Sequence, residues 1–252
     1  MDVKQFVCPN LPVGKVTDVI VSGEYSYIIS EFNNLGVNTF ITNAFVNLPY
    51  YERFHPDLQC SYYKKGTLAV CQQSIPSFSL KAEEAGLHIH HTNTILKSLY
   101  PYNVQFNHVI LGQKIICNKK YTNTDIIAYC NKNNIKIINV KQGYTKCSTA
   151  VVAENAVITS DSSIYKACKV NGIDVLKIES GHISLYGYDY GFIGGCCGKL
   201  SNDILAFTGI VSEHKNYFDI KNFLRNYGIY ILELSNKSLL DIGSIIPVIE
   251  KL

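Results

Sequence analysis

The residues whose types could do chemistry are a thiol and a histidine–carboxylate pair, far apart in the chain. Cys147 directly follows Lys146, and His55 and Asp57 form a His-x-Asp motif around a proline. A thiolate is a strong nucleophile, and an imidazole exchanges protons near neutral pH. We expect the ammonium group of Lys146 to lower the pKa of the Cys147 thiol. These residues predict covalent cysteine chemistry if the fold brings them together.

A second candidate feature is a set of polar residues, each standing where a short strand pair begins. Comparison of internal repeats places five of them at equivalent positions: Asp57, Asn103, Lys146, Asp189 and Asp241. If these positions converge, they predict a substrate-binding site for a small cationic molecule, since closely spaced ionisable groups are typical of functional sites. The alternative is a polar plug in which Lys146 neutralises the carboxylates.

The elements that must position these residues belong to a unit that occurs five times. Its common part is a polar helix end, a turn and an apolar strand, at residues 35–41, 85–91, 133–139, 171–177 and 227–233. Glycine stands at the turn in four copies and Asn134 in the fifth, as expected where the chain turns left-handed after a helix. Each unit reads as strand, strand, helix, strand over roughly 40 to 55 residues, a period typical of propellers.

Five such units predict a five-bladed α/β propeller around a pseudo-fivefold axis, with the helices outside and the polar positions at one axial mouth. The whole chain, 1–252, then forms a single domain. The repeats run roughly over 24–72, 73–118, 119–160, 161–209 and 210–252. Within residues 1–23, the segment VTDVIVSG predicts a strand that completes the ring or packs on its rim.

Local patterns predict the helices and the first strand pair. The helices are expected at residues 24–34, 78–85, 123–132, 162–170 and 215–226, and strands at 58–63 and 67–72. Asp161 is a predicted N-cap.

Composition excludes several classes of partner. The net charge is only +3 and charged residues make up 17% of the chain, so nucleic acid and membrane partners are not expected. No signal peptide or membrane span is recognisable, and the nine cysteines, an odd number, favour reduced thiols, so we expect a cytoplasmic protein. No cofactor or metal site is expected: the HIHH segment falls on a repeated strand where His90 replaces apolar residues, and GGCCGKL lacks the spacing of a phosphate loop.

The five-unit layout resembles the α/β propeller, or pentein fold, of the guanidino-group modifying enzymes. These include arginine deiminase, dimethylarginine hydrolase, agmatine deiminase and amidinotransferases. The segments QGYTKCSTAVV, SGHISLYGYDYGFIGG and LLDIGSIIPV also resemble a bacterial family of unknown function with this fold. Oligomers are common in the superfamily, so the resemblance implies a homodimer as one candidate assembly.

The resemblance also implies a chemistry: a thiolate attacks the guanidinium carbon, a histidine handles protons and carboxylates hold the cation. The usual residues are missing here. The His-x-Asp of the fourth unit corresponds to residues 187–189 (GYD), and the cysteine of the last unit corresponds to the neighbourhood of residues 242–244 (IGS). His55 and Cys147 are separated by about two units, as in the usual plan, which suggests the same pair rotated about the axis.

Two functions therefore follow. The first is a cysteine-dependent hydrolase or transferase acting on a small guanidine, amidine or related C–N substrate. Its nucleophile is Cys147, its acid/base is His55 or His182, and Asp57, Asp189 and Asp241 hold the cation. The second is a catalytically inactive propeller that acts as a binding or sensing module. The simpler roles are a buried small residue for Cys147, a turn cap for His55 and a backbone-bonded loop residue for His182.

Overall fold

The computed structural model describes residues 3–73 and 76–252 of the chain. The strands are β1 (Lys4–Phe6), β2 (Lys15–Ser22), β3 (Asn38–Thr42), β4 (Cys60–Lys64), β5 (Thr67–Val70), β6 (His88–His91), β7 (Val109–Leu111), β8 (Lys114–Cys117), β9 (Lys136–Asn139), β10 (Thr149–Ala153), β11 (Ala156–Thr159), β12 (Asp174–Lys177), β13 (Cys197–Lys199), β14 (Ile204–Phe207), β15 (Tyr230–Glu233) and β16 (Ile246–Lys251). The α-helices are α1 (Ser26–Asn34), α2 (Pro56–Gln59), α3 (Pro76–Glu84), α4 (Thr124–Lys132), α5 (Ser162–Val170) and α6 (Tyr217–Asn226), and a short 3₁₀ helix covers Val211–Glu213.

The strands form five small sheets, so the fold is mixed α/β. Four sheets have three strands each, in the orders β4-β5-β6, β7-β8-β9, β10-β11-β12 and β13-β14-β15. In every sheet an antiparallel strand pair is followed by a strand that lies parallel to the second. A parallel strand needs a crossover connection, and a helix supplies it in each unit. The predicted strand–strand–helix–strand unit is confirmed.

The fifth sheet combines both ends of the chain. Its order is β1-β16-β2-β3, so the C-terminal strand lies between two N-terminal strands. The segment VTDVIVSG forms most of β2, which pairs with β16 on one side and β3 on the other. Helix α1 therefore belongs to this sheet, and α3 is the helix that follows the pair β4 and β5.

The turn that ends each repeated helix has the predicted backbone. Gly36, Gly86, Gly172 and Gly228 have φ between 67° and 88°, and Asn134 has φ of 55°. This left-handed region is open to glycine and tolerated by asparagine. The same turn chemistry therefore ends all five repeated helices.

Helix starts were predicted less evenly. The Asp161 side chain accepts hydrogen bonds from the backbone N–H groups of Ser163 and Ile164, which confirms the N-cap. The last helix begins at Tyr217, two residues later than predicted. Residues 58 and 59, predicted as strand, belong instead to the short helix α2. None of the helices in the described part of the chain is long and apolar enough to cross a membrane.

Apolar clusters join each sheet to the next. One cluster contains residues of β2 and β16 together with Val70 of β5 and Ala206 of β14. The others join β5 with β8, β8 with β11, and β11 with β14. A unit of this size cannot bury its apolar face alone, so neighbouring sheets form the core jointly.

Burial at the sheet that combines both chain ends predicts a large effect of substitution there. Ile20 in β2 has no exposed surface, so Ile20→Ala should lower the free energy of unfolding by about 2–5 kcal/mol through lost burial and a residual cavity. Ile95→Ala, at a half-exposed position, should change it by less than about 1 kcal/mol. Urea unfolding followed by circular dichroism measures both; similar losses for the two variants would contradict the buried position of β2.

Candidate functional site

Four loop segments deliver polar side chains to one buried cluster, and each precedes a strand of an antiparallel pair. His55 and Asp57 lie at the start of α2 before β4, and Cys147 lies before β10. Asn107 precedes β7, and the fourth segment leads into β16 with Asp241 and Ser244. All six residues are at most 2% exposed. The repeated architecture therefore places corresponding parts of different units next to one another.

The centre of the cluster is a thiol–carboxylate contact. The Cys147 Sγ donates a hydrogen bond of 3.0 Å to Asp57 Oδ2, and Ser244 Oγ donates one of 2.7 Å to the same oxygen. Asn107 Nδ2 donates to Cys147 Sγ at 3.2 Å. The thiol is thus held between an amide donor and a carboxylate acceptor.

Asn107 also fixes the backbone on both sides of this contact. Its Oδ1 accepts hydrogen bonds from the backbone N–H of Lys146 at 2.6 Å and of Cys147 at 3.2 Å. Its Nδ2 also donates to the backbone carbonyl of Asp57 at 3.2 Å. One amide side chain therefore links the Asp57 segment to the Cys147 segment.

His55 lies on the other side of the cluster, against the segment that leads into β16. Its Nδ1 is 4.0 Å from Asp241 Oδ1, and its Nε2 is buried without a hydrogen-bond partner. The ring packs on Gly243, where an added Cβ would lie 2.4 Å from the His55 Cβ. His55 occupies the N-cap position of α2 but makes no capping hydrogen bond. The structure therefore does not favour a turn-capping role for this histidine.

Burial controls the protonation of this cluster. Desolvation, followed by the charges of Asp57 and Asp241, raises the pKa of the Cys147 thiol well above its ordinary range. Burial lowers the pKa of His55 to about 4, against a smaller opposing effect of Asp57. Burial and then Asp57 raise the pKa of Asp241 to about 7, although backbone N–H groups of Phe192 and Gly243 donate to it. At neutral pH the thiol is protonated and the imidazole is uncharged.

A further carboxylate lies just outside the cluster. Glu52 Oε2 accepts hydrogen bonds from Asn103 Nδ2 at 3.4 Å and from the Tyr144 hydroxyl at 3.3 Å. Burial raises the pKa of Glu52, and a hydrogen bond from Tyr188 opposes that shift. Glu52 is buried, but its partner Tyr188 is half-exposed, so this acidic group is linked to the surface through a tyrosine.

The carboxylates lack a cationic partner. Over residues 3–73 and 76–252, no lysine or arginine forms an ion pair with Glu52, Asp57 or Asp241. Asp57 Oδ1 is also buried without a hydrogen-bond partner. Buried carboxylates without a counter-charge are unfavourable, and a bound cation would compensate them.

Lys146 does not have the expected effect on the neighbouring thiol. It is buried and lines a small cavity with Asn10 and Lys199, where burial raises the pKa of Cys197 to about 12 and the charge of Lys146 opposes that shift. The prediction that it lowers the pKa of the Cys147 thiol is wrong, because burial and two carboxylates dominate at that sulfur. Nor does it neutralise the carboxylates, as the polar-plug alternative required.

Two other predicted site residues are exposed, unlike the buried residues of the cluster. Asp189 and His182 are exposed in the loop between β12 and β13. The His182 ring contacts that of His214, with centroids 5.0 Å apart. Asn103 belongs to the outer layer with Glu52. The structure thus groups His55, Asp57, Cys147 and Asp241, with Asn103 next to them, while the roles of all eight residues stay predictions.

Sequence reasoning missed Asn107, Ser244 and Glu52. The repeat comparison selected Asn103 as the polar residue of that unit, and Asn107 lies four residues further along. Only the structure shows which of the two asparagines reaches the cluster. Ser244 has φ of 78°, unusual for a residue other than glycine, in the segment where a cysteine had been sought. His90, by contrast, is half-buried with Tyr63 OH 3.1 Å from its Nδ1, as expected of a structural histidine.

Comparison with known proteins places this geometry in context. The sequence model of a family of unknown function (DUF6873) matches residues 20–246. No curated protein matches the chain by sequence.

Among solved structures, the amidinotransferase SxtG of the saxitoxin pathway from Microseira wollei is similar with a TM-score of 0.56 at 11% identity, over 94% of this chain and 96% of that one. Agmatine deiminase from C. jejuni gives 0.53 at 11% identity, over 98% and 96%. Dimethylarginine dimethylaminohydrolase from Pseudomonas aeruginosa, with citrulline bound, gives 0.51 at 10%, over 87% and 92%. The fold is that of the guanidino-group modifying enzymes.

The raised pKa of Asp241 has a consequence for stability. Its folded-state pKa of about 7 exceeds its ordinary value of 3.8, so the folded state holds a proton that the unfolded state releases as pH rises through that window. This group should therefore lower the free energy of unfolding between about pH 4 and 7, by an amount on the order of a few kcal/mol.

The measurement is urea unfolding of wild type and Asp241→Asn at several pH values from 4 to 8. His55 acts oppositely below pH 6.5 in both proteins, so the difference between them is the relevant quantity. Wild type should lose stability relative to the variant as pH rises. A difference that is independent of pH would refute the assignment, whatever fixed change the substitution itself causes.

Proposed function

The chain belongs to this family of unknown function, DUF6873, and we propose that it is a cysteine-dependent hydrolase or transferase acting on a small guanidine or amidine. Cys147 is the nucleophile, His55 the acid/base, and Asp57 and Asp241 hold the cation, with Glu52 at the outer side. The single observation that carries the proposal is a buried thiol hydrogen-bonded to a carboxylate, among acidic groups without a cationic partner.

A planar cation suits the electrostatics of this cluster. Carboxylates accept paired N–H donors of a guanidinium or amidinium group, and such charge-assisted bonds are the strong ones. The charge of the substrate would offset buried carboxylates that form no ion pair with any described lysine or arginine. The buried carboxylates therefore favour a cation over an anionic or neutral substrate.

Substrate binding would also activate the thiol. Burial raises the pKa of the Cys147 thiol most, and the negative charges of Asp57 and Asp241 raise it further. A cation bound between them reverses that effect and favours the thiolate. The thiol is therefore inert in the free protein and becomes a nucleophile when the substrate is present.

The reaction balances with the groups in the cluster. The thiol proton passes to Asp57, and sulfur forms a bond to the guanidinium carbon. The leaving nitrogen takes that proton and its C–N bond breaks, which leaves a thiouronium on Cys147. A water molecule then attacks this carbon while His55 accepts one of its protons. The C–S bond breaks, His55 returns that proton to the sulfur, and the second proton of the water passes to the departed nitrogen. A guanidine therefore gives a urea and an ammonium ion, an amidine gives an amide and an ammonium ion, and an acceptor amine in place of water gives transfer instead.

The proposal includes closure of the five sheets around an axis. Two observations support it: apolar clusters relate each sheet to the next, and the backbone N–H of Val16 in β2 donates to Leu200, beside β13. In a closed ring the segments before β4, β7, β10 and β16 meet at the axis, which accounts for the cluster.

A binding or sensing module is the second candidate. It is favoured by the 2% exposure of Cys147 and by the layer of Glu52, Asn103 and Tyr144 that covers the cluster. The cluster also does not line the open cleft of about 810 Å³ that Pro101, Tyr102 and Lys120 help to form. As a binding module, the protein would hold a cation with the same acidic groups and break no bond.

Alkylation by an isosteric pair of reagents tests the proposal. Cationic 2-chloroacetamidine and neutral 2-chloroacetamide have nearly the same size, and residue-resolved mass spectrometry gives the rate at each cysteine. We expect the cationic reagent to label Cys147 faster than the neutral one by at least about 10-fold, because its charge is held by Asp57 and Asp241. Asp57→Asn and Asp241→Asn should reduce this preference toward the ratio at a surface thiol.

The exposed Cys8 supplies that surface ratio within the same sample. Equal ratios at Cys147 and Cys8 would reject both a catalytic thiol and a cation site beside it. Release of ammonia or urea from a panel containing agmatine, arginine and dimethylarginine, lost in Cys147→Ala, separates the candidates: charge-selective labelling without turnover favours the binding module.

A further inference from the structure

Three different ligand types converge in the cluster. His55, Asp57 and Cys147 each offer one nitrogen, oxygen or sulfur atom, and these atoms lie within 4.8 Å of one another. Zinc bond lengths of about 2.0–2.3 Å place tetrahedral ligand atoms roughly 3.3–3.8 Å apart. Small side-chain shifts therefore suffice to bring the three atoms onto one ion.

Two polar atoms of these residues have no other use. His55 Nε2 and Asp57 Oδ1 are buried without hydrogen-bond partners, on side chains that are about 1% exposed. Nearly all buried polar groups in proteins are paired, so two such atoms on neighbouring residues are available to bind a ligand. A planar organic cation held by the carboxylates would leave His55 Nε2 unpaired. A metal ion would bind that nitrogen as well as the carboxylate oxygen.

The ligand set discriminates among metals. Thiolate and imidazole favour zinc and similar ions, whereas magnesium and calcium prefer oxygen ligands alone. Three protein ligands leave a fourth position for water or for the hydroxyl of Ser244, which already contacts Asp57.

Neighbouring groups would orient these ligands. Asn107 donates to the Cys147 sulfur, and Asp241 lies 4.0 Å from the His55 Nδ1. An amide donor at the sulfur and a carboxylate facing the imidazole are the kinds of second partner usual around zinc ligands. The nearby carboxylates also favour a divalent ion through their charge.

We propose that His55, Asp57 and Cys147 form a binding site for a zinc ion. Binding replaces the S–H bond of Cys147 by an S–Zn bond and releases the proton to solvent. The site does not require turnover, but it uses the proposed nucleophile, so zinc and a cationic substrate exclude each other. Zinc would thus hold the protein in a state unable to react.

Zinc binding to the whole protein tests this, with a chromophoric chelator as competitor. We expect one equivalent of zinc per chain in wild type. Cys147→Ser and Asp57→Asn should each lower the affinity at least about 100-fold, because losing a ligand costs more than losing a residue that only hydrogen-bonds to a ligand. Cys197→Ser, at another buried thiol, and His88→Ala, in the strand with three histidines, should bind like wild type. Circular dichroism establishes that each variant is folded.

Cobalt(II) gives an independent readout on unaltered protein. A thiolate-to-cobalt charge-transfer band in the near ultraviolet would support the site even if a variant fails to fold. So would a lower rate of Cys147 alkylation by 2-chloroacetamidine when zinc is present. Absence of this band in wild type overturns the proposal, as does unchanged affinity in folded Cys147→Ser or loss of binding in His88→Ala alone. Because these readouts need no substrate, their failure leaves the proposed reaction untouched, and an inactive protein can still bind zinc.

Discussion

The hydrogen bond from Cys147 to Asp57 is the contact on which the cluster depends. It joins the segment before β10 to the segment before β4, and Ser244 adds the segment before β16 through the same carboxylate oxygen. These segments belong to three different sheets, and no local structure holds them together. Their meeting is a consequence of how the sheets pack, so the apolar clusters between sheets set the geometry of the polar one.

Close approach of the backbones is made possible by glycine. A Cβ at Gly194 would lie 2.2 Å from the carbonyl oxygen of Lys146, and one at Gly195 would lie 1.9 Å from Asp241 Oδ1. The backbone N–H of Gly195 also donates to the Cys147 carbonyl at 2.9 Å. Gly194 and Gly195, before β13, thus let the thiol and carboxylate segments pack against each other.

The sequence predicts the repeated unit well because its signals are local. A turn residue with positive φ, the Asp161 cap and the alternation of strand and helix each depend on a few neighbouring residues. The pairing of β16 with β2 is not local, and only the need to complete a ring pointed toward it. The pairing of the C-terminal strand with β2 thus depends on the packing of all five units, and the sequence of one unit does not predict it.

The candidate site was predicted in part for the same reason. Equivalent positions in the repeat correctly brought Asp57 near Cys147. They did not predict the surroundings of Lys146. Its charge acts on the Cys197 thiol, whereas burial and two carboxylates determine the pKa of the adjacent Cys147. The equivalent positions also do not show that Asp189 lies at the surface, in the long loop between β12 and β13. Loop length and side-chain direction are fixed by packing, which residue types alone do not reveal.

The cluster retains charges that make the free protein less stable, and this constrains what it is for. A neutral core at these positions would avoid the desolvation that raises the pKa of Asp241 and Glu52. A bound cation removes that penalty, so the energy lost in the free protein returns as binding energy. A guanidinium ion and a zinc ion both do this, yet they place different demands on the same atoms: the first needs carboxylates in one plane and a free thiolate, and the second consumes the thiolate as a ligand. On both proposals charge selects for a cation, and the position of the thiol would decide whether that cation reacts or is only bound.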